Sequence, residues 1–462
     1  MVLARRRYLT AMGALTFIDE LAWRGLLYQY TEGVQGMLAA GPTVAYCGFD
    51  PTARSLHLGH LVPVMALAHL QRAGHRPIAL VGGGTGMIGD PSGRSSERTL
   101  NSLEVVEENV RCIRHQLERF LDFSGERGAL MRNNAEWLMS LGAIEFMRDV
   151  GKHFTVNYMT AKDSVKSRLE AGISYTEFSY MLLQAYDFLE LHRREGVRLQ
   201  VGGSDQWGNI TAGVELIRRA VGVEAHAVTL PLVTTAAGTK FGKTEAGAVW
   251  LDPTMTSPYR FYQFWINTDD RDVGKYLRYF TLLSREDIEA LDRAVTERPE
   301  AREAQRALAA DVTTRVHGAD ATRVAADASK LVFDRSADPR AFSAGVLEAL
   351  LQELPSASIS SGDGRAEAGS ASVTGPDGSS TTIPLKSGSN GVGVDVLDAF
   401  VVTGLVKSKG DARRLLQQGG LYANGEKLSP EQSVLTAGAA IHGQFYVLRK
   451  GAREIAIVRL AA

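Results

Sequence analysis

The segment Tyr46-Cys47-Gly48-Phe49-Asp50-Pro51-Thr52-Ala53-Arg54-Ser55-Leu56-His57-Leu58-Gly59-His60 holds the residues whose types and spacing best suit chemistry. It reads as an apolar strand, a turn, and two imidazoles bracketing a glycine where a helix begins. The start of a helix offers unpaired N–H groups and a partial positive charge, which suit phosphate. His57 and His60 add side-chain donors there, and Gly59 lets a ligand approach the backbone closely. The pattern fits a nucleotide held at a strand-to-helix corner. By itself it also fits two surface histidines near a turn.

Four further clusters follow. The glycine-rich loop Val81–Gly93 comes after an apolar strand. It is not a Walker loop, because no Gly-Lys-Ser/Thr follows, and Met87 stands where a dinucleotide fingerprint needs its third glycine. Asp90 is its one carboxylate, either a ligand group or a turn cap ahead of Pro91. Tyr180, Gln184 and Asp187 share one helix face at i, i+4 and i+7. That face suits a small ligand with an amine and a hydroxyl; bonds to neighbouring elements are the alternative. Gly202-Gly203-Ser204-Asp205-Gln206 ends another strand, with Asp205 placed to accept from ribose hydroxyls and Gln206 able to donate and accept. Lys240-Phe241-Gly242-Lys243-Thr244 reads as a mobile cationic loop suited to a triphosphate, or as two solvated lysines.

The elements that must position these groups are legible in outline. Apolar runs at 43–49, 78–84, 197–203 and 226–233 alternate with helical patterns, predicting a parallel sheet with helices on its faces and ligands beyond the strands' carboxyl ends. The helix after His60 is expected to run to about Ala73, with Leu61, Met65 and Ala68 inward, Pro63 in its first turn and Gly74 as its stop. Residues 256–354 read as helical throughout. Residues 355–393 are rich in Gly and Ser with few large apolar side chains, which predicts a mobile linker. From Val394 a folded pattern resumes. Ser408 and Asp411 have capping-box spacing, Leu415 and Leu416 give an apolar face, and Asn424-Gly425 marks a hairpin. Lys407, Lys409, Arg413 and Arg414 cluster at that helix start, as a phosphate-backbone patch or a solvated face.

Composition narrows the classes. The chain has 462 residues, room for roughly two to four domains. With 51 basic and 52 acidic residues, bulk charge argues for neither membrane nor nucleic-acid binding. Cys47 and Cys112 are too few for a disulfide framework or a thiolate zinc site, and fit a reducing cytoplasm. No apolar run reaches the ~18 residues of a membrane span. Arg5-Arg6-Arg7 faintly suggests a transit peptide, though a solvated extension explains it equally.

Taken together, the five clusters resemble the bacterial-type tyrosyl-tRNA synthetases, a class I family. His57-Leu58-Gly59-His60 matches the His-x-Gly-His element, and Lys240-Phe241-Gly242-Lys243-Thr244 a common form of the Lys-Met-Ser-Lys-Ser element. The resemblance runs from about residue 16 to 350 and resumes in a C-terminal module similar to an S4 domain. It implies an α/β fold: a Rossmann-like parallel-sheet catalytic domain over 1–255 with a dimerisation segment at about 120–195. A helical anticodon-side domain at 256–354, the linker, and an S4-like α+β RNA-binding domain at 394–462 complete it.

The implied activity is ATP-dependent activation of L-tyrosine and its transfer to tRNA(Tyr), by a cytoplasmic homodimer without membrane contact. The resemblance gives Tyr46 and Asp187 the substrate phenol, Asp90, Tyr180 and Gln184 its ammonium group, and Gln206 its carboxylate, with Asp50 beside the reacting groups. Cys47, His60, Gly202 and Asp205 fall to the ribose, Gly48 and Gly59 line the ATP site, and Thr52, His57, Lys240 and Lys243 take the phosphates. Lys407, Lys409, Arg413 and Arg414 fall to tRNA. Mg²⁺ is expected to accompany ATP, and no zinc is expected. A tryptophanyl enzyme, a nucleotidyltransferase without tRNA and a noncatalytic RNA-binding relative are the rivals. Tyr46 with Asp187 favours a phenol over an indole, the basic C-terminal module favours tRNA, and the intact histidines and lysines favour activity.

Overall fold

The computed structural model describes residues 16–90, 102–166, 172–239, 241–244, 247–361, 370–374, 380–388, 391–432, 434–451 and 453–461. The chain divides into two compact units, Met1–Ser257 with Phe264–Val316, and Pro258–Gln263 with His317–Ala462.

The first unit is built on a six-stranded sheet. Its strands are β1 (Gln29–Tyr30), β2 (Val44–Phe49), β3 (Arg76–Val81), β4 (Leu130–Asn133), β5 (Leu199–Gly203) and β6 (His226–Leu230), in the order β1-β6-β5-β2-β3-β4. All neighbours are parallel except the edge pair β1–β6. The chain winds outward from β2 through β3 to β4, then crosses to β5 and β6 on the other side. That reversal between β2 and β5 opens a crevice at their carboxyl ends. β2, β3, β5 and β6 are the four expected strands, and their near-continuous apolar runs reflect cover on both faces. β4 lies where no strand was expected.

The helix Leu61–Arg72 follows the histidine turn with Pro63 in its first turn and Leu61, Met65 and Ala68 buried; Gly74 ends it at φ 90°. The long helix Tyr175–Glu195 is capped by Ser174 Oγ, which accepts from the Glu177 N–H at 3.2 Å. It packs on the helix Trp207–Val221 at Gly213, where an added Cβ would stand 2.9 Å from Phe188 Cδ1.

Residues 256–354 are helical, but the two units share them. Phe264, Trp265, Tyr276 and Phe280 surround Phe241 in the first unit. Ala328, Leu331, Val346, Leu347 and Leu350 instead form one core with Phe445, Val447, Ile455 and Ile457 in the second.

The linker expectation for 355–393 is corrected where that segment is described; 362–369, 375–379 and 389–390 lie outside the described residues. After the small hairpin β7 (Lys243–Thr244) and β8 (Gly247–Ala248) of the first unit, the chain forms β9 (Ser356–Ser361), β10 (Ser370–Thr374), β11 (Ser380–Gly388) and β12 (Gly391–Asp395) in this segment. They join β13 (Leu421–Ala423), β14 (Glu426–Lys427), β15 (Val434–Leu435), β16 (Phe445–Lys450) and β17 (Glu454–Ala461) in a nine-stranded sheet. Composition concealed a period of two. Ala357, Ile359, Ala371, Val373 and Ile383 are buried, and the Ser and Thr residues lie between them. β9 gains its partner from far along the chain, pairing parallel with β17. In the same unit Ser408 caps the helix Lys409–Gln417, and Asn424 (φ 51°) and Gly425 (φ 85°) turn the β13–β14 hairpin.

Candidate active site

β2 and β5 pair through Ala45 with Leu199 and Tyr46 with Gln200, which brings their carboxyl ends side by side. β2 leaves through Asp50 into a loop ending at His57, and the turn Leu58–His60 leads into the helix. His57 Nδ1 accepts from the Gly59 N–H at 3.0 Å, and His60 Nδ1 accepts from the His57 N–H at 3.2 Å. The rings stack with centroids 3.9 Å apart. A neutral imidazole that accepts at Nδ1 carries its proton on Nε2, so each ring is set as an Nε2–H donor. Phosphate capture by unpaired backbone N–H groups of this turn is corrected. Leu58 N–H donates to Val249 O at 3.0 Å, His60 N–H to His57 O at 2.9 Å, and Gly59 N–H to the His57 ring. What the turn presents to an anion is imidazole. Thr52, Gly48 and Gly59 are exposed here, and a Cβ on Gly48 would meet nothing within 4 Å. Cys47 is buried, which pushes its thiol up to about 12.

Lys240 lies outside the described residues, and only the backbone of Lys243 is described. The residues between them are anchored. Phe241 stacks on Phe280 at 4.9 Å. Gly242, at φ 76°, accepts from Val249 N–H at 3.0 Å, and a Cβ there would stand 3.0 Å from Leu58 Cβ. The lysine-bearing segment therefore abuts the histidine turn.

Deeper in the unit, the Asp187 carboxylate is buried. Trp137 Nε1 donates to its Oδ1 at 2.7 Å and Asn134 Nδ2 to its Oδ2 at 2.9 Å. Burial, outweighing those bonds, pushes its carboxyl up to about 7. The Tyr46 hydroxyl is buried without a hydrogen-bond partner among the described residues, and burial followed by the charge of Asp187 pushes its phenol well above the usual range.

A second polar chain lines the helix Tyr175–Glu195. Gln206 Nε2 donates to Asp90 Oδ2 at 2.7 Å, and Asn209 Nδ2 donates to Gln206 Oε1 at 3.2 Å and Gln184 Oε1 at 3.1 Å. Tyr180 donates to Asp50 Oδ1 at 3.4 Å. Asp205 is exposed beyond β5, and Ile210 fills the space at Gly202, where a Cβ would come within 2.9 Å. The residues named from the sequence on β2, the glycine loop, the long helix and β5 thus converge. In the second unit, Lys409 pairs with Asp398 at 2.6 Å and Arg414 with Asp411 at 3.1 Å, while Lys407 and Arg413 are exposed with no ion pair among the described residues.

Asn134, Trp137, Thr85 and Asn209 belong to these networks and were missed. Asn134 also donates to Thr85 Oγ1 at 2.9 Å and accepts from Gly84 N–H at 2.8 Å. The signal was the short apolar stretch Ala129-Leu130-Met131, one residue ahead of the amide pair Asn133-Asn134 at the end of an unrecognised strand. Among the described residues no group of three or more His, Cys, Asp or Glu side chains is placed to hold a metal ion, and no helix is long and apolar enough to cross a membrane.

Comparison with known proteins agrees with this geometry. Residues 38–334 match the family described as tRNA synthetases class I (W and Y), and residues 382–458 match a tyrosine–tRNA ligase SYY-like C-terminal domain. The tyrosine–tRNA ligase of Anaeromyxobacter dehalogenans (strain 2CP-1 / ATCC BAA-258) is 52% identical over 443 residues, covering 96% of this chain and 99% of its own. That of Geobacillus stearothermophilus is 50% identical over 451 residues, covering 97% and 100%. A C-terminally truncated Aspergillus nidulans mitochondrial tyrosyl-tRNA synthetase superposes with a TM-score of 0.63 at 30% identity, over 69% of this chain and 95% of that one. The chain belongs to the class I tRNA synthetases of the tryptophan and tyrosine group.

Proposed function

We propose that this chain is a tyrosine–tRNA ligase that activates L-tyrosine with ATP and transfers it to the 3′ end of tRNA(Tyr). One observation carries the choice of amino acid: a buried, unpartnered Tyr46 hydroxyl whose phenol feels the charge of the buried Asp187. A phenolic O–H entering there would donate to Asp187 and accept from Tyr46. Phenylalanine would leave the Tyr46 hydroxyl unpaired, at a cost of about 1–3 kcal/mol, and Asp187 with only its bonds from Trp137 and Asn134.

In the reaction the tyrosine carboxylate attacks the α-phosphorus of ATP and pyrophosphate leaves. No proton need be moved, so the protein's part is alignment and stabilisation of charge on the leaving phosphates. Asp90, Tyr180 and Gln184 hold the ammonium group, Gln206 the carboxylate, and Asp50 lies beside the reacting groups. Cys47, His60, Gly202 and Asp205 meet the ribose, with Gly48 and Gly59 in the ATP site. Thr52, His57, Lys240 and Lys243 take the phosphates. The Nε2–H tautomers of the imidazoles support that role. Mg²⁺ enters as part of the nucleotide substrate, held by phosphate oxygens and water.

Lys407, Lys409, Arg413 and Arg414 contact the tRNA backbone. The exposed Met139, Ile144, Met147 and Val156, all between 120 and 195, support that segment as the face of a homodimer. A reducing cytoplasm suits the two free thiols. The test is ATP–pyrophosphate exchange with tyrosine, tryptophan and phenylalanine, followed by charging of tRNA(Tyr). Exchange supported better by tryptophan would overturn the reading.

A further inference from the structure

The loop that delivers the histidines is held from outside the site. Gln116, near the end of the helix Leu103–Leu117, reaches the backbone of the residue just ahead of His57. Its Oε1 accepts from the buried Leu56 N–H at 2.8 Å, and its Nε2 donates to Ser55 Oγ at 3.2 Å. Ser55 Oγ in turn donates to Leu56 O at 2.7 Å and accepts from Asp252 N–H at 3.0 Å.

From this anchor a short antiparallel seam runs toward the phosphate-binding groups. Leu251 N–H donates to Leu56 O at 2.9 Å, His57 pairs with Trp250, Leu58 N–H donates to Val249 O at 3.0 Å, and Val249 N–H donates to Gly242 O at 3.0 Å. Trp250 meets the His57 ring edge-on at 5.9 Å. The seam ties the histidine turn to the segment that carries the lysines, and Gln116 fixes one end of it. Across the seam, strand pairing alternates side-chain direction, so a slip at Leu56 turns His57 away from its partner ring.

We propose that Gln116 is a positioning residue for adenylate formation, setting the register in which the His57–His60 turn pairs with residues 249–252. It touches no substrate and acts through the Leu56 backbone and the Ser55 hydroxyl. The inference rests on the function proposed above. Its effect belongs to the step in which charge develops on the phosphates, because the phenol and ammonium groups are held by other elements.

Gln116→Met keeps the length and removes both hydrogen bonds, leaving Leu56 N–H buried without its partner. The expected result is a fall of roughly tenfold or more in kcat for tyrosine-dependent pyrophosphate exchange. The tyrosine Kd from equilibrium dialysis should stay within about twofold, and thermal unfolding should remain a single transition. Gln116→Glu, whose carboxylate still accepts from Leu56 N–H but no longer donates to Ser55 Oγ, should restore most of kcat. Unchanged kcat in Gln116→Met, or a loss of tyrosine affinity as large as the loss of kcat, would overturn the proposal. So would failure of Gln116→Glu to recover rate despite a native melting curve. Absence of exchange in the wild-type chain would instead count against the function itself.

Discussion

Trp137 donates its indole N–H to Asp187 Oδ1 at 2.7 Å, fixing one oxygen of a carboxylate whose other oxygen is fixed by Asn134. The two donors set the plane in which that carboxylate can receive a phenol. Trp137→Phe and Asn134→Ala should each weaken tyrosine binding by about 1–3 kcal/mol and leave ATP binding alone. Both act on one group, so the double variant should lose less than the sum. Equilibrium dialysis with each substrate checks this. Asp187→Ala should reduce tyrosine activation far more than ATP binding; unaltered activation would remove Asp187 from the phenol site.

The raised carboxyl of Asp187, at about 7, gives a signed pH dependence. The native chain holds this proton up to about pH 7, whereas the unfolded chain releases it near the ordinary carboxylate value, about 4. Between those limits the native state binds more protons, so this group's contribution to stability falls as pH rises. Tyrosine binding at the proposed site would run the other way, because an ionised Asp187 carboxylate would be the acceptor. Affinity should rise up to about tenfold per unit below pH 7 and level off above it. Asp187→Asn should bind weakly and without that slope, as titration calorimetry from pH 5.5 to 8.5 would read out.

His57→Ala and His60→Ala each remove an Nε2–H donor and one partner of the stacked pair. kcat for exchange should fall by roughly one to three orders of magnitude, while the tyrosine Kd changes little. Stopped-flow measurement of adenylate formation separates the two.

Lys407 and Arg413 are the cations of the C-terminal patch with no ion pair among the described residues, so they should dominate its contact with phosphate. Replacing both by Ala should lower the slope of log affinity for tRNA(Tyr) against log salt by about 1–2, leaving pyrophosphate exchange intact. An unchanged slope would place the RNA surface elsewhere.

Gly393 tests the folded state of the segment that composition assigned to a linker. A Cβ there would stand 2.1 Å from Leu435 O, across the β12–β15 pairing. Gly393→Ala should destabilise the C-terminal unit by about 1–3 kcal/mol, read as a lower melting temperature. A flexible tether would show no change.

The parts of the molecule that could be read in advance are those where local chemistry and tertiary position coincide. The histidine turn, Gly74, Ser408 and Asn424-Gly425 are set by capping and turn rules that depend on a few adjacent residues. β2, β3, β5 and β6 announce themselves because cover on both faces demands apolar runs. β4 was missed because its four residues include Arg132 and Asn133, and only pairing with β3 makes it a strand. The hydroxyl-rich strands β9–β12 were missed for a related reason: only alternate residues face inward and some of those are alanine, so the count of large apolar side chains stayed low. Asn134 and Trp137 were invisible because the group they bond to, Asp187, lies some fifty residues away in sequence.

The orphaned hydroxyl of Tyr46 has an energetic consequence for ligand choice. It is buried with no hydrogen-bond partner among the described residues, which costs about 1–3 kcal/mol. A phenol entering the pocket recovers a full bond there, while an unsubstituted ring recovers nothing. Discrimination between the two therefore turns on whether the incoming ring carries a hydroxyl to meet that buried group.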